Sequence, residues 1–178
     1  MKKINSLNRG ITIAAFFAFS FIQAQNYESV VKDYIFSNKK YDKTAASGIK
    51  IINSDKSESL KGAVVNVQQT YEGIPIFNAV SSALIRNNTV SYLSDNFSDV
   101  SLVTVSSKKA GITSKAAFDS VLKNLNLKSS NKYTFEAGKE NSVLTNTVYY
   151  QKANQLILAY EVNFEEAESS NYWNVLVN

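Results

Sequence analysis

The sequence predicts an α+β protein: a helix followed by an antiparallel meander, then a second helix packed on an antiparallel sheet. Three observations carry this expectation. Apolar residues recur at helical spacing near residue 30 and again near residue 120. The period then falls to two, over residues 64–97 and again over 156–177. Finally, one proline and six glycines in 178 residues leave no flexible Pro/Gly linker.

The elements follow in order. In residues 26–38, Tyr27, Val30, Val31, Tyr34 and Ile35 share one helical face, and Asn26 is placed to cap it. Residues 49–53 have the composition of a short strand. From 64 onward, Val65, Val67, Gln69 and Tyr71 point one way while Val64, Asn66, Gln68 and Thr70 point the other. Glu72-Gly73 reads as a turn, and Ile74 to Arg86 as the returning strand. Asn87-Asn88 reads as a second turn, because asparagine tolerates positive φ, and Val90 to Phe97 as a third strand. The Ser-rich stretch 98–109 separates the two halves. Thr113 or Ser114 then opens a helix whose apolar face is Ala117, Phe118, Val121, Leu122 and Leu125. Residues 128–132 end it. Leu156, Leu158, Tyr160, Val162 and Phe164 alternate with Ile157, Ala159, Glu161 and Asn163. Trp173, Val175 and Val177 form the apolar face of a last strand.

Ahead of these elements stands an export signal. Lys2, Lys3 and Arg9 precede the apolar run Ile11 to Ile22, and Ala24 followed by Gln25 supplies a cleavage site. The run is 12 residues long, short of the roughly 20 that a membrane-spanning helix needs. The organisation is therefore a signal peptide over 1–24, a first subdomain over 25–105 and a second over 106–178. The product is secreted or extracytoplasmic, with no membrane association once the signal is removed.

Charge and composition narrow the function. The chain carries 19 Lys and Arg against 15 Asp and Glu, but three of the basic residues and none of the acidic ones lie in the signal. The mature part is close to neutral, so nothing points to nucleic acid as a partner. Nor does anything point to a homo-oligomer. Cysteine and histidine are both absent. Thiol nucleophiles, thiolate metal sites, HExxH zinc helices and Ser-His-Asp triads are thereby excluded. The chain is not expected to be an enzyme, and no catalytic, cofactor-binding or metal-binding residue is assigned to it.

Weaker candidates remain. Glu165, Glu166 and Glu168 form the densest acidic cluster, which suits a solvated hairpin loop better than paired-carboxylate chemistry. Asp95 and Asp99 lack the spacing of a calcium loop. The lysine pairs 39–40 and 108–109 suit exposed loops, with processing as the alternative. Gln69 lies on the face that ought to be buried. Its amide then needs partners, either from a neighbouring turn or from another molecule.

Residues 65–97 resemble the fungalysin/thermolysin propeptide motif. The resemblance rests on Gln68-Gln69-Thr70-Tyr71, on Gly73-Ile74-Pro75-Ile76-Phe77 and on Asp95-Asn96-Phe97. Gly73 would permit the tight turn, and Pro75 would fix φ where the strand restarts. Residues 112–127 and 156–177 look like the opening helix and closing hairpin of the PepSY-like half of such pro-regions, which implies a PepSY/cystatin-like fold. Gln69, Tyr71, Gly73, Ile74, Pro75, Phe77 and Asn96 are the residues matched to the family's fold motif. The sequence departs from the family at Val64 and Asn66, where His and Arg are frequent, and at Asn78 and Ala79, where Gly is frequent.

The resemblance implies the pro-domain of a secreted zinc metalloendopeptidase precursor. Such a domain acts as intramolecular chaperone and inhibitor of a catalytic domain, its partner in cis or in trans. Zinc and its ligands would belong to that catalytic domain, expected beyond residue 178. The alternative is a free-standing exported protease inhibitor or surface binding module.

Overall fold

The computed structural model describes residues 27–38, 48–101, 103–106, 110–127, 132–167 and 169–178. The export signal, with Ala24 and Gln25, lies outside the described residues, as do Asn26, both lysine pairs and Glu168. No described helix is long and apolar enough to cross a membrane.

Strand dominates, and this corrects the α+β expectation. The described elements are α1 (27–37), β1 (Ile49–Ser57), β2 (Gly62–Tyr71), β3 (Ile74–Arg86), β4 (Thr89–Leu93), β5 (Thr104–Val105), α2 (Ser114–Asn124), β6 (Leu144–Lys152), β7 (Gln155–Glu165) and β8 (Tyr172–Val177). The strands form a mixed eight-stranded sheet of order β1-β2-β3-β6-β7-β5, with β4 on β3 and β8 on β7. Two short helices accompany it. A helix-first antiparallel meander repeated twice, of PepSY/cystatin-like form, does not describe this arrangement. Two features escape a reading by local periodicity. β6 shows no apolar/polar alternation along most of its length. The links β3–β6 and β5–β7 are parallel and join segments far apart in sequence.

The chain divides into two compact units. One comprises the residues up to Gln69 together with Ala79–Phe97; the other comprises Thr70–Asn78 and Ser98–Asn178. In the first, Val31 and Ile35 of α1 are buried against Val65, Val67, Ala83 and Ile85, with Tyr27, Val30 and Tyr34 packed at the margin. Each fully buried aliphatic side chain contributes on the order of 1.5–3 kcal/mol. β1 pairs antiparallel with β2, and its register slips between Ile51 and Asn53, leaving Ile52 exposed. The opposite face of this sheet is stitched by side chains. Asn66 Nδ2 donates to Asn53 Oδ1 at 2.7 Å, and Ser82 Oγ donates to Asn66 Oδ1 at 2.6 Å. β4 ends at Leu93, sooner than the alternation suggests, because the backbone N–H of Asn96 turns back to Ser81 Oγ at 3.0 Å.

In the second unit α2 starts at an N-cap: Thr113 Oγ1 accepts from the N–H of Ala116 at 3.2 Å. Ala117, Phe118, Val121 and Leu122 are buried with Val143, Val162 and Phe164. The rings of Phe118, Tyr133 and Phe164 meet edge to face, with centroids 5.1–5.6 Å apart. β6 pairs antiparallel with β7, and β7 with β8, so Val162 stands opposite Val175 and Phe164 opposite Trp173.

Candidate functional site

The motif residues converge on one hairpin. β2 ends at Tyr71, β3 begins at Ile74, and only Glu72 and Gly73 lie between. Both have positive φ, 48° and 83°, the sign pair of a type I′ turn, whose twist matches that of the flanking strands. A Cβ on Gly73 would meet nothing within 4 Å. Glycine is required there by the torsion angle, not by crowding. Pro75 stands second in β3, where its fixed φ suits extended backbone.

The tip of this hairpin, Thr70–Asn78, belongs to the second unit. Ile76, fully buried, is the β3 residue that pairs in parallel with Tyr149 of β6. The Tyr71 ring meets the Tyr149 ring at 5.9 Å and 88°. Phe77 is half-buried. Asn78 has φ 60° within the strand, which gives a physical reason for glycine at that position of the resemblance. Asparagine is among the residues that tolerate this region best.

Gln69 is buried, 1% exposed, and stands opposite Ile49 of β1. Its backbone carbonyl accepts from Gln68 Nε2 at 2.8 Å. The same nitrogen also reaches the carbonyl of Ala79 at 3.3 Å. The Gln68 side chain thus ties β2 to β3 just below the turn. Asn96 performs a similar task in the first unit. Its Nδ2 donates to the carbonyl of Val80 at 3.2 Å, fastening the segment after β4 to β3. Tyr71, Gly73 and Asn96 therefore each have a role in building the hairpin or its support. Tyr149 is the partner that the sequence reading missed. The apolar run Val148-Tyr149-Tyr150 between Thr147 and Gln151 was its signal.

The acidic candidates separate. Glu165 ends β7 and is exposed. Glu166 Oε2 accepts from Asn171 Nδ2 at 3.0 Å and from Trp173 Nε1 at 3.4 Å. Hydrogen bonds from Asn171, and then from Ser169, hold its carboxyl below the ordinary glutamate value. Asp99 Oδ1 accepts from the Ser101 hydroxyl at 2.6 Å and its N–H at 3.0 Å, which lowers its pKa likewise. Among the described residues, no group of three or more acidic side chains could hold a metal ion. No family model matches the chain.

Proposed function

We propose that this chain is the pro-region of a secreted zinc metallopeptidase precursor, a folding assistant and inhibitor for a catalytic domain that partners it in cis or in trans. The observation that carries the reading is the hairpin at Tyr71–Asn78. Its Gly-Ile-Pro sequence and its two turn residues of positive φ suit the motif, and Asn78, where the family has glycine, has φ 60°. The apolar run ahead of Ala24 and Gln25 supports export of the precursor. Zinc chemistry is assigned wholly to the partner, since this chain supplies no histidine or cysteine.

A refolding assay tests the proposal. The catalytic domain of a fungalysin-like peptidase is denatured and returned to buffer with or without this chain in trans. The reading expects more native peptidase with the chain present, and inhibition of that peptidase until the chain is digested. Equal recovery in both arms, with no inhibition, would overturn it.

A further inference from the structure

β8 forms a free edge in the second unit. It pairs antiparallel with β7 and with no other strand among the described residues. Just before β8, the N–H of Glu166 donates to the carbonyl of Asn171 at 2.8 Å, and this sets the phase of the ladder. Hydrogen-bonded pairs alternate with unbonded ones along an antiparallel ladder, so Trp173, Val175 and Val177 turn their amide groups to β7. Tyr172, Asn174 and Leu176 turn theirs outward, toward no strand among the described residues. The side chains divide in the same way. Trp173, Val175 and Val177 pack against the core beneath α2, and Tyr172, Asn174 and Leu176 lie on the opposite face.

An open row of backbone donors and acceptors is a template for another strand, and proteins blunt it with charge, proline or a bulge. β1, the edge in the first unit, carries Lys50, Asp55 and Lys56, and its register slips between Ile51 and Asn53. β8, Tyr-Trp-Asn-Val-Leu-Val, has no charge, no proline and no slip in its register. Its Tyr172 is 66% exposed, yet the ring is held in place, because its hydroxyl donates to Oδ1 of the buried Asn163 at 3.2 Å. An exposed aromatic fixed in advance loses little side-chain freedom on association.

We propose that β8 pairs with β8 of a second copy of this chain, antiparallel, about a twofold axis at Asn174. In this register all of the outward residues of β8 are used. Asn174 exchanges backbone bonds with the partner's Asn174, and Tyr172 does so with the partner's Leu176. An aromatic ring then lies against an aliphatic chain, an amide against an amide, and no like charges meet. Pairing closes both β8 edges, so association stops at two. Two six-residue strands cover less than the roughly 1,200 Å² at which stable complexes begin, so the dimer is a weak one. Nothing in the sequence pointed to it, because an edge is defined only once the strands have paired. The pairing does not depend on the peptidase reading.

Sedimentation velocity of the purified chain, run from about 5 μM to about 1 mM, tests the pairing. The proposal expects a monomer–dimer equilibrium with its midpoint below about 1 mM and no larger species. Isotope-filtered NMR on a mixture of labelled and unlabelled chain should show contacts between the Tyr172 ring and the partner's Leu176. Asn174→Pro removes the outward N–H at the axis and none of the ladder bonds to β7, and should weaken the dimer at least about tenfold. Asn174→Glu sets two carboxylates opposite each other on the axis and should weaken it about as much, more so at low salt. Asn174 is exposed, so this second variant keeps the test open if the proline variant fails to fold. A monomer at every concentration, growth beyond the dimer, unchanged affinity in Asn174→Glu, or intermolecular contacts outside β8 would each overturn it.

Discussion

The ring of Tyr71, at the end of β2, meets the ring of Tyr149, in the middle of β6, edge to face at 5.9 Å. Tyr149 is fully buried and Tyr71 is half-buried. A residue matched to the family's fold motif is thus also a packing element of the second unit. Tyr149→Ala should cost about 3–5 kcal/mol, the range for removing a buried aromatic ring. Tyr71→Ala should cost less. A double-mutant cycle in urea should return a coupling of about 0.5–1.5 kcal/mol for the ring pair.

Two glycines are needed for different reasons, and substitution separates them. Gly73→Ala strains a residue at φ 83° with open space around it. The expected cost is about 1–2 kcal/mol, most of it recovered by Gly73→Asn, which tolerates left-handed backbone. At Gly62, a Cβ would come within 2.4 Å of the carbonyl oxygen of Ile85. Gly62→Ala should cost about 1–3 kcal/mol through overpacking, and Gly62→Asn should be worse, not better. Chemical denaturation of the four variants checks this pattern.

Asn78 offers the converse test. At φ 60°, glycine relieves torsional strain and alanine adds none of asparagine's tolerance. Asn78→Gly should leave stability within about 0.5 kcal/mol or raise it, and Asn78→Ala should lower it by about 1 kcal/mol.

The two perturbed carboxylates predict an acid limb. Asp99 and Glu166 have folded-state pKa values below their ordinary ones, because hydrogen bonds favour the ionised form. Their contribution to stability is therefore present above the unfolded-state pKa values, about 3.9 and 4.3. It is lost as pH falls through the lower folded-state values. NMR titration of the two side chains should place both midpoints below those of the unfolded chain. Ser101→Ala should raise the Asp99 midpoint and leave that of Glu166 where it was.

Much of the stretch from β2 to β4 was legible because its signals are local. A two-residue turn with glycine, a second turn of two asparagines, and unbroken alternation from Val65 to Tyr71 require no knowledge of distant partners. The helix at Ser114–Asn124 was legible for the same reason, through Thr113 and an apolar face. β6 was not. Only Val148 and Tyr149 are buried along it, so its Thr, Asn and Gln residues resemble a loop. Its place beside β3 depends on the bridge between Ile76 and Tyr149, which no periodicity encodes. The alternation sets Asn163 on the face opposite Val162 and Phe164 but does not show that it is buried. It is buried because Tyr172 and Leu144 flank it from neighbouring strands, an effect visible only once the register is known.

The central claim is that this chain serves a zinc peptidase, and the coding sequence beyond codon 178 tests it most directly. The account predicts an HExxH motif in the same reading frame or in an adjacent gene with its own place in the export pathway. A stop codon directly after Asn178, with no peptidase gene beside it, would contradict the account.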